Sequence, residues 1–175
     1  MTDIQFEDNI ELILHGSKDG LKTIYDEYVK IVFSLVFCIM GHQQDAEDVT
    51  SDVFIKLWDK AETYHFGGKH KPWIMAIARN TAIDALRKEN HIVAIDEMEE
   101  PEEEIQSSLE SQICNKIPLE NACSHLNPVE LQIVTMHVLG DISFKDLSKI
   151  FQKPLGTVAW IYRKAINKLR RYDYD

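Results

Sequence analysis

Cysteine is scarce in this sequence and is poorly placed for cross-linking. Three cysteines occur, Cys38, Cys114 and Cys123, and none of them forms a C-x-x-C spacing. An odd count without that spacing disfavours both a disulfide scaffold and a structural zinc finger. The sequence therefore fits a reducing compartment.

Long apolar runs and an export signal are also missing. The most apolar run, residues 31–40, is far shorter than the roughly 20 residues that a membrane-spanning helix needs. Residues 1–9 carry three acids and no base, unlike the start of a secretory signal peptide. We therefore expect a cytoplasmic protein.

The signatures of common enzymes are absent as well. The sequence has no G-x-x-x-x-G-K-[ST], G-x-G-x-x-G or H-E-x-x-H pattern and no nucleophile beside a base. His65 and His70 are badly spaced for a metal, and Cys123 with His125 gives too few ligands. We expect no enzymatic activity, no metal and no cofactor.

Charge is unevenly distributed along the chain. The net charge of −10 divides into −4 over residues 1–88, −9 over 89–120 and +3 over 121–175. The acidic run 96–104 repels itself and cannot form a core, so it indicates a linker. We predict an N-terminal module (residues 1–90), an acidic linker (91–118) and a C-terminal module (119–175).

The N-terminal module shows helical apolar spacing and no strand alternation. Helices are predicted from Phe6 to Leu14, from about Asp19 to a stop at Gly41, from about Asp45, and from Pro72 as first residue to Lys88. The last helix and its preceding loop hold five bases and one acid over residues 66–88. Two interpretations stay open: a purely structural four-helix bundle, or a surface on which Trp73 stacks unpaired bases.

The C-terminal module has the pattern of a helix-turn-helix. Asn127-Pro128 and Ser143-x-x-Asp146 are helix starts, and a last helix is predicted over about residues 155–171. That helix carries five bases and no acid between residues 157 and 171, which suits contact with DNA phosphates. The alternative is a basic helix that only faces solvent.

Both modules resemble one family. Residues 45–58 (DAEDVTSDVFIKLW) resemble the polymerase-binding helix of the group IV, or extracytoplasmic-function, sigma factors of bacteria. Residues 72–88 resemble the family's −10 recognition and promoter-melting helix, and residues 143–158 resemble its −35-binding helix-turn-helix. The resemblance implies an all-α fold of two small helical domains, a region 2 bundle and a region 4 helix-turn-helix, joined by a linker.

The resemblance also implies roles and partners. The partners would be core RNA polymerase (its β′ clamp helices and β flap), promoter DNA and an anti-sigma factor. The residues implied for polymerase binding are Val49, Ser51, Asp52, Lys56 and Trp58. Those implied for the −10 strand are Phe66, Lys69, Lys71, Trp73, Arg79, Asn80, Asp84, Arg87 and Lys88. The candidates for the −35 element are Lys153, Thr157, Trp160, Arg163, Lys164, Lys168 and Arg171.

The sequence departs from the family pattern in the last helix. Ala159 and Ile161 stand where the family commonly has basic residues, and Gln152 replaces the usual turn glycine. Trp160 is therefore either a DNA contact or a core residue. The acidic linker is likewise either a spacer or a mimic of nucleic-acid charge inside the polymerase.

Three functions compete at this point. A promoter-specificity subunit of RNA polymerase accounts for residues 45–58 and for the basic helix after them. A conventional regulator with a C-terminal helix-turn-helix needs neither segment. A polymerase decoy is supported only by the missing bases in the last helix.

Overall fold

Capping residues set the ends of the first two helices. The computed structural model describes residues 1–96 and 125–172. Helix α1, Asp3–Leu14, starts earlier than predicted because Thr2 and Gln5 form a capping box. Helix α2, Lys18–Met40, follows an N-cap at Ser17 and ends at Gly41, whose φ of 78° is left-handed. The predicted stop at Gly41 is confirmed.

Gly20 allows α1 and α2 to pack closely. A β-carbon built at Gly20 would lie 2.4 Å from the backbone oxygen of Asn9 in α1. A side chain at this position would push the two helices apart. Glycine is required here by the approach of another backbone, not by φ.

The next two helices complete the N-terminal module. Helix α3, Gln43–Asp59, leads into a 3-10 turn, Ala61–Thr63. Helix α4, His70–Asp96, begins before Pro72, so the prediction of Pro72 as first residue is wrong. Pro72 still lies in the first turn, where no backbone N–H is needed for the helix. The helix also continues past the predicted end at Lys88.

Three helices form the described part of the C-terminal module. Helix α5, Pro128–Val138, is capped by Asn127 and Glu130 as a capping box. Helix α6, Phe144–Ile150, has the predicted N-cap Ser143, and helix α7 spans Leu155–Tyr172. The turn between α6 and α7 completes a helix-turn-helix. Residues 97–118 of the predicted linker lie outside the described residues, as do Cys114 and Cys123.

The modules share one hydrophobic core. Helix α2 packs against α1, α3 and α4, and it also contacts α5. Helix α4 contacts α6, and α7 packs on α5 and α6. All regular structure in the described ranges is helical, so the predicted all-α class is confirmed. The predicted linker begins inside a helix, because residues 91–96 belong to α4.

Candidate nucleic-acid interface

Residues 64–69, here called the aromatic loop, join the 3-10 turn to α4. Tyr64 is buried, and its ring centroid lies 5.2 Å from those of Phe6 and Trp73. Phe66 is 49% exposed and contacts the edge of Tyr64 at 5.8 Å. Gly67 has a φ of 78°, which only glycine adopts freely. The loop thus exposes the ring of Phe66, which packs against the buried ring of Tyr64.

Trp73 has a mixed position. Its ring is half-buried and contacts Phe6 at 6.1 Å as well as Tyr64. The sequence suggested a stacking residue at a loop–helix junction. The structure places Trp73 at that junction, but part of its ring belongs to the aromatic core behind the loop.

The start of α4 is held by a buried histidine. His70 is 3% exposed, its Nδ1 is hydrogen-bonded to Asp3, and its Nε2 is hydrogen-bonded to the hydroxyl of Tyr28. Burial lowers the pKa of the imidazole below its usual value, although the hydrogen bond and charge of Asp3 act against that shift. Burial also raises the pKa of Tyr28. Sequence reasoning considered His70 only as a metal ligand and missed this network, for which the sequence carries no local signal.

The predicted −10 residues differ in accessibility. Asn80, Asp84, Arg87 and Lys88 are exposed along α4. Arg79 is not free: its guanidinium lies 4.4 Å from the ring centroid of Phe151, and its Nε donates to Gln132 at 3.0 Å.

Two further cations of this set are paired across the modules. Lys69 lies 3.1 Å from Asp146, and Lys71 lies 3.2 Å from Asp141. Together with Arg79, three of the basic residues predicted to contact the −10 strand therefore contact the C-terminal module. For Lys69 and Lys71 the partner is a carboxylate, which competes with phosphate for the same cation.

The predicted polymerase-binding surface is only partly exposed. Ser51 and Asp52 are exposed, and Lys56 and Trp58 are half-buried. Val49 is 7% exposed and belongs to the core, so the structure does not place it on that surface. Ile55 is 59% exposed on the same helix, α3, and was not among the predicted residues.

An apolar groove lies beside this face of α3. It has a volume of about 320 Å³ and is lined by Lys18, Leu21, Lys22, Tyr25 and Trp58. The ring of Tyr25 is 41% exposed and packs on Phe54 at 4.7 Å. The groove therefore extends the exposed part of α3 with apolar surface from α2.

The exposed face of α7 contains most of the predicted −35 residues. Thr157, Arg163 and Lys153 are exposed, and Trp160 is 57% exposed with Lys164 lying 5.2 Å from its ring centroid. The choice between core and surface for Trp160 is thereby settled in favour of the surface. Arg171 is also exposed.

Lys168 has an internal partner. Its Nζ lies 2.6 Å from Glu130, which is 1% exposed, while Lys164 is 3.8 Å from the same carboxylate. Burial by itself would raise the pKa of Glu130, but the hydrogen bonds from Lys168 and from the Asn127 backbone, with the two lysine charges, lower it overall. Sequence reasoning assigned Lys168 to phosphate and missed Glu130.

No helix in the described ranges is both long and apolar enough to cross a membrane. No group of three or more His, Cys, Asp or Glu side chains in those same ranges is arranged to hold a metal ion.

Comparison with known proteins shows which proteins this chain is similar to. Residues 24–92 match the family model for sigma-70 region 2. The chain is 24% identical over 167 residues to the ECF RNA polymerase sigma factor BldN of Streptomyces coelicolor, covering 93% of this chain and 63% of BldN. It is 26% identical over 86 residues to the ECF RNA polymerase sigma factor SigW of Bacillus subtilis, covering 49% of this chain and 46% of SigW. The chain is similar to extracytoplasmic-function sigma factors, and its residues 24–92 match sigma-70 region 2.

Solved structures share the fold of this chain. RpoE of Bartonella quintana, solved with the anti-sigma factor NepR, aligns with a TM-score of 0.70 at 19% identity, covering 88% of this chain and 96% of RpoE. CnrH, solved with the cytosolic domain of CnrY, aligns with a TM-score of 0.65 at 14% identity, covering 99% and 97%. The chain spans less than two thirds of the length of BldN and SigW.

The region 2 match covers the N-terminal part of the candidate interface. It contains the aromatic loop, all of α3 and the described side chains of α4. Helix α1 precedes the matched residues, although it packs directly behind the aromatic loop.

Proposed function

We propose that this chain is a sigma factor, a bacterial transcription initiation subunit. It binds core RNA polymerase, directs the enzyme to promoters with −10 and −35 elements, and helps to open the DNA. It acts in the cytoplasm, and it is not itself an enzyme, because the polymerase performs the chemistry. The proposal needs neither a cofactor nor a metal.

One observation carries the proposal: an exposed ring on a braced loop beside a basic helix. Opening a duplex costs stacking and pairing energy, and a protein offsets part of this cost by holding an extruded base and its strand. Phe66 supplies an aromatic surface, and Arg87 and Lys88 supply cations farther along α4. Asn80, exposed between them, offers both a donor and an acceptor to a base edge.

The polymerase surface is proposed on α3 and the groove beside it. The exposed Ser51, Asp52 and Ile55 form a mixed polar and apolar face, with Trp58 at its edge. Such a face suits a stable contact with helices of a partner, because its apolar side chains supply buried area and its polar side chains fix the register of the contact. We assign it to the β′ clamp helices of the polymerase.

The exposed face of α7 supports binding to duplex DNA at the −35 element. Thr157, Trp160 and Arg163 are exposed on the second helix of the helix-turn-helix, the helix that would enter the major groove. Lys153, Lys164 and Arg171 supply charge for phosphate contacts, and the affinity is expected to fall with salt. The C-terminal module would also contact the β flap of the polymerase.

An anti-sigma factor is the proposed regulator. Two structural relatives, RpoE and CnrH, were solved with the partners NepR and CnrY. In this chain Lys69, Lys71 and Arg79 are already hydrogen-bonded to side chains of the C-terminal module. A protein that stabilises this arrangement would keep the sigma factor from DNA.

The proposal is tested by promoter-directed transcription with core RNA polymerase on a library of promoter fragments. Asp52→Arg and Ile55→Glu each alter an exposed side chain of the proposed polymerase surface. Asp8→Arg is the matched control, because Asp8 is an exposed acid on α1 and belongs neither to α3 nor to the lining of the groove. We expect defined start sites with the wild type and the control, and loss of core binding in the two α3 variants.

Other outcomes discriminate the competing functions. Core binding without initiation from any fragment would indicate a decoy. Binding to duplex DNA without binding to core polymerase would indicate a conventional regulator. Either result would overturn the proposed function.

A further inference from the structure

One face of α1 braces the aromatic loop. Asp3, Phe6 and Glu7 lie three and four residues apart, so their side chains share a face of the helix. Phe6 is fully buried, and its ring centroid lies 5.2 Å from Tyr64 and 4.8 Å from His70. Tyr64 at the start of the loop and His70 directly after its end therefore pack against the same α1 residue.

Glu7 holds the middle of the loop. Its Oε1 accepts a hydrogen bond from the backbone N–H of Gly67 at 2.5 Å. Within the loop, Gly68 donates to the carbonyl of His65 at 3.0 Å, and the Tyr64 hydroxyl donates to the Gly68 carbonyl at 3.2 Å. The glycine conformation next to Phe66 is thus fixed by a carboxylate from another helix.

Asp3 holds the far end of the loop. Its Oδ1 accepts the backbone N–H of His70 at 3.2 Å and also bonds to Nδ1 of that ring. Because a carboxylate only accepts, Nδ1 carries the ring proton, and Nε2 accepts from the hydroxyl of Tyr28. The first residue of α4 is therefore fixed in position and tautomer from two sides.

We propose that α1 is a positioning element for base recognition and that Glu7 is its main positioning residue. By fixing the peptide at Gly67, Glu7 sets the direction in which Phe66 meets an unpaired base of the melted promoter strand. This inference rests on the proposed function. A loop held before binding does not lose conformational freedom when the base arrives, so its affinity and its discrimination between bases are higher.

The test compares three variants in the polymerase holoenzyme. Glu7→Ala removes the acceptor of the Gly67 N–H, whereas Glu7→Gln keeps an oxygen acceptor at the same reach. Glu11→Ala is the control, because it removes an exposed acid from the next turn of α1. The hydrogen bonds found in residues 1–96 include none from the Glu11 side chain to the loop.

The main readout is initiation from promoters substituted base by base through the melted element. Loss of a hydrogen bond to a charged group corresponds to a change on the order of tenfold. We expect Glu7→Ala to lose base discrimination by this factor, Glu7→Gln to keep most of it, and Glu11→Ala to match the wild type. Affinity for core polymerase and the thermal midpoint should differ little among the four proteins.

Amide hydrogen exchange at Gly67 in the free protein gives a second readout, independent of promoters. The amide should exchange faster in Glu7→Ala and stay protected in the other variants. Unchanged discrimination in Glu7→Ala, or an equal loss in Glu11→Ala, would overturn the inference while leaving the proposed function intact. Failure of the wild type to initiate from any promoter would instead overturn the proposed function, and the inference with it.

Discussion

The guanidinium of Arg79 lies 4.4 Å from the ring centroid of Phe151, 72 positions later in the chain. The same side chain donates from Nε to Gln132 at 3.0 Å, and burial lowers its pKa from the usual value without removing its charge. A residue expected on promoter DNA is thus bound by the other module. If Arg79 is to contact DNA, α4 must separate from both Gln132 on α5 and Phe151 at the end of α6.

Separation should follow from placing a second cation beside Arg79. We expect Gln132→Lys to repel the guanidinium and open the chain, seen as a larger radius of gyration in small-angle X-ray scattering. The double variant Arg79→Glu/Gln132→Lys restores attraction and should be as compact as the wild type. Equal radii for the single variant and the wild type would show that Arg79 does not hold the modules together.

Stability should depend on pH through His70. The folded protein holds the pKa of His70 below 6.5, so the unfolded chain takes up the proton first as the pH falls. The free energy of unfolding should therefore decrease from about pH 6.5 downward, through the folded pKa. Asp3, whose own pKa is lowered from 3.8 chiefly by its hydrogen bond to His70, adds a loss at still lower pH.

Urea unfolding at a series of pH values checks this dependence. Asp3 raises the pKa of His70, while Lys71 and the N-terminal amine lower it. The control variant must therefore remove only the titration of the imidazole. His70→Gln keeps a donor and an acceptor but does not titrate. The slope of stability with pH just below 6.5 should be smaller in this variant; identical slopes would contradict the prediction.

Lys168 and Lys164 should differ in their effect on stability. Lys168→Met removes the closer partner of the buried Glu130, and breaking a buried pair on one side costs about 3 kcal/mol or more. Lys164→Met removes a more exposed cation at 3.8 Å and should cost less than about 1 kcal/mol. Thermal or urea unfolding of the two variants measures the difference, and equal costs would assign no special role to Lys168.

Replacing Gln152 with glycine should increase the stability of the protein. Its φ is 51°, and its N–H and that of Lys153 bond to the carbonyls of Lys149 and Ser148 in the pattern that closes helices on a left-handed residue. Gln152→Gly should stabilise the protein by about 1 kcal/mol, less the added freedom of the unfolded chain. Gln152→Ala keeps the strain and should show no such gain in urea unfolding.

Local patterns in the sequence accounted for most helix ends. Gly41, Asn127 and Ser143 act as the caps that their residue types predict, because a cap depends on neighbours within about four positions. The early start of α4 at His70 was missed, since Pro72 is compatible with any position in the first turn. The capping box of Thr2 and Gln5 was readable in the sequence but was overlooked.

By itself, the sequence determined the all-α class, the helix-turn-helix pattern and the location of the cations, because periodicity, capping and charge are properties of neighbouring residues. Only the tertiary structure decided which charged side chains are free and which are bound within the protein. Lys168 is bound to Glu130, Arg79 to Phe151 and Gln132, and Glu7 to Gly67. These contacts join residues 38 to 72 positions apart, and they arise from helix packing that no local pattern encodes.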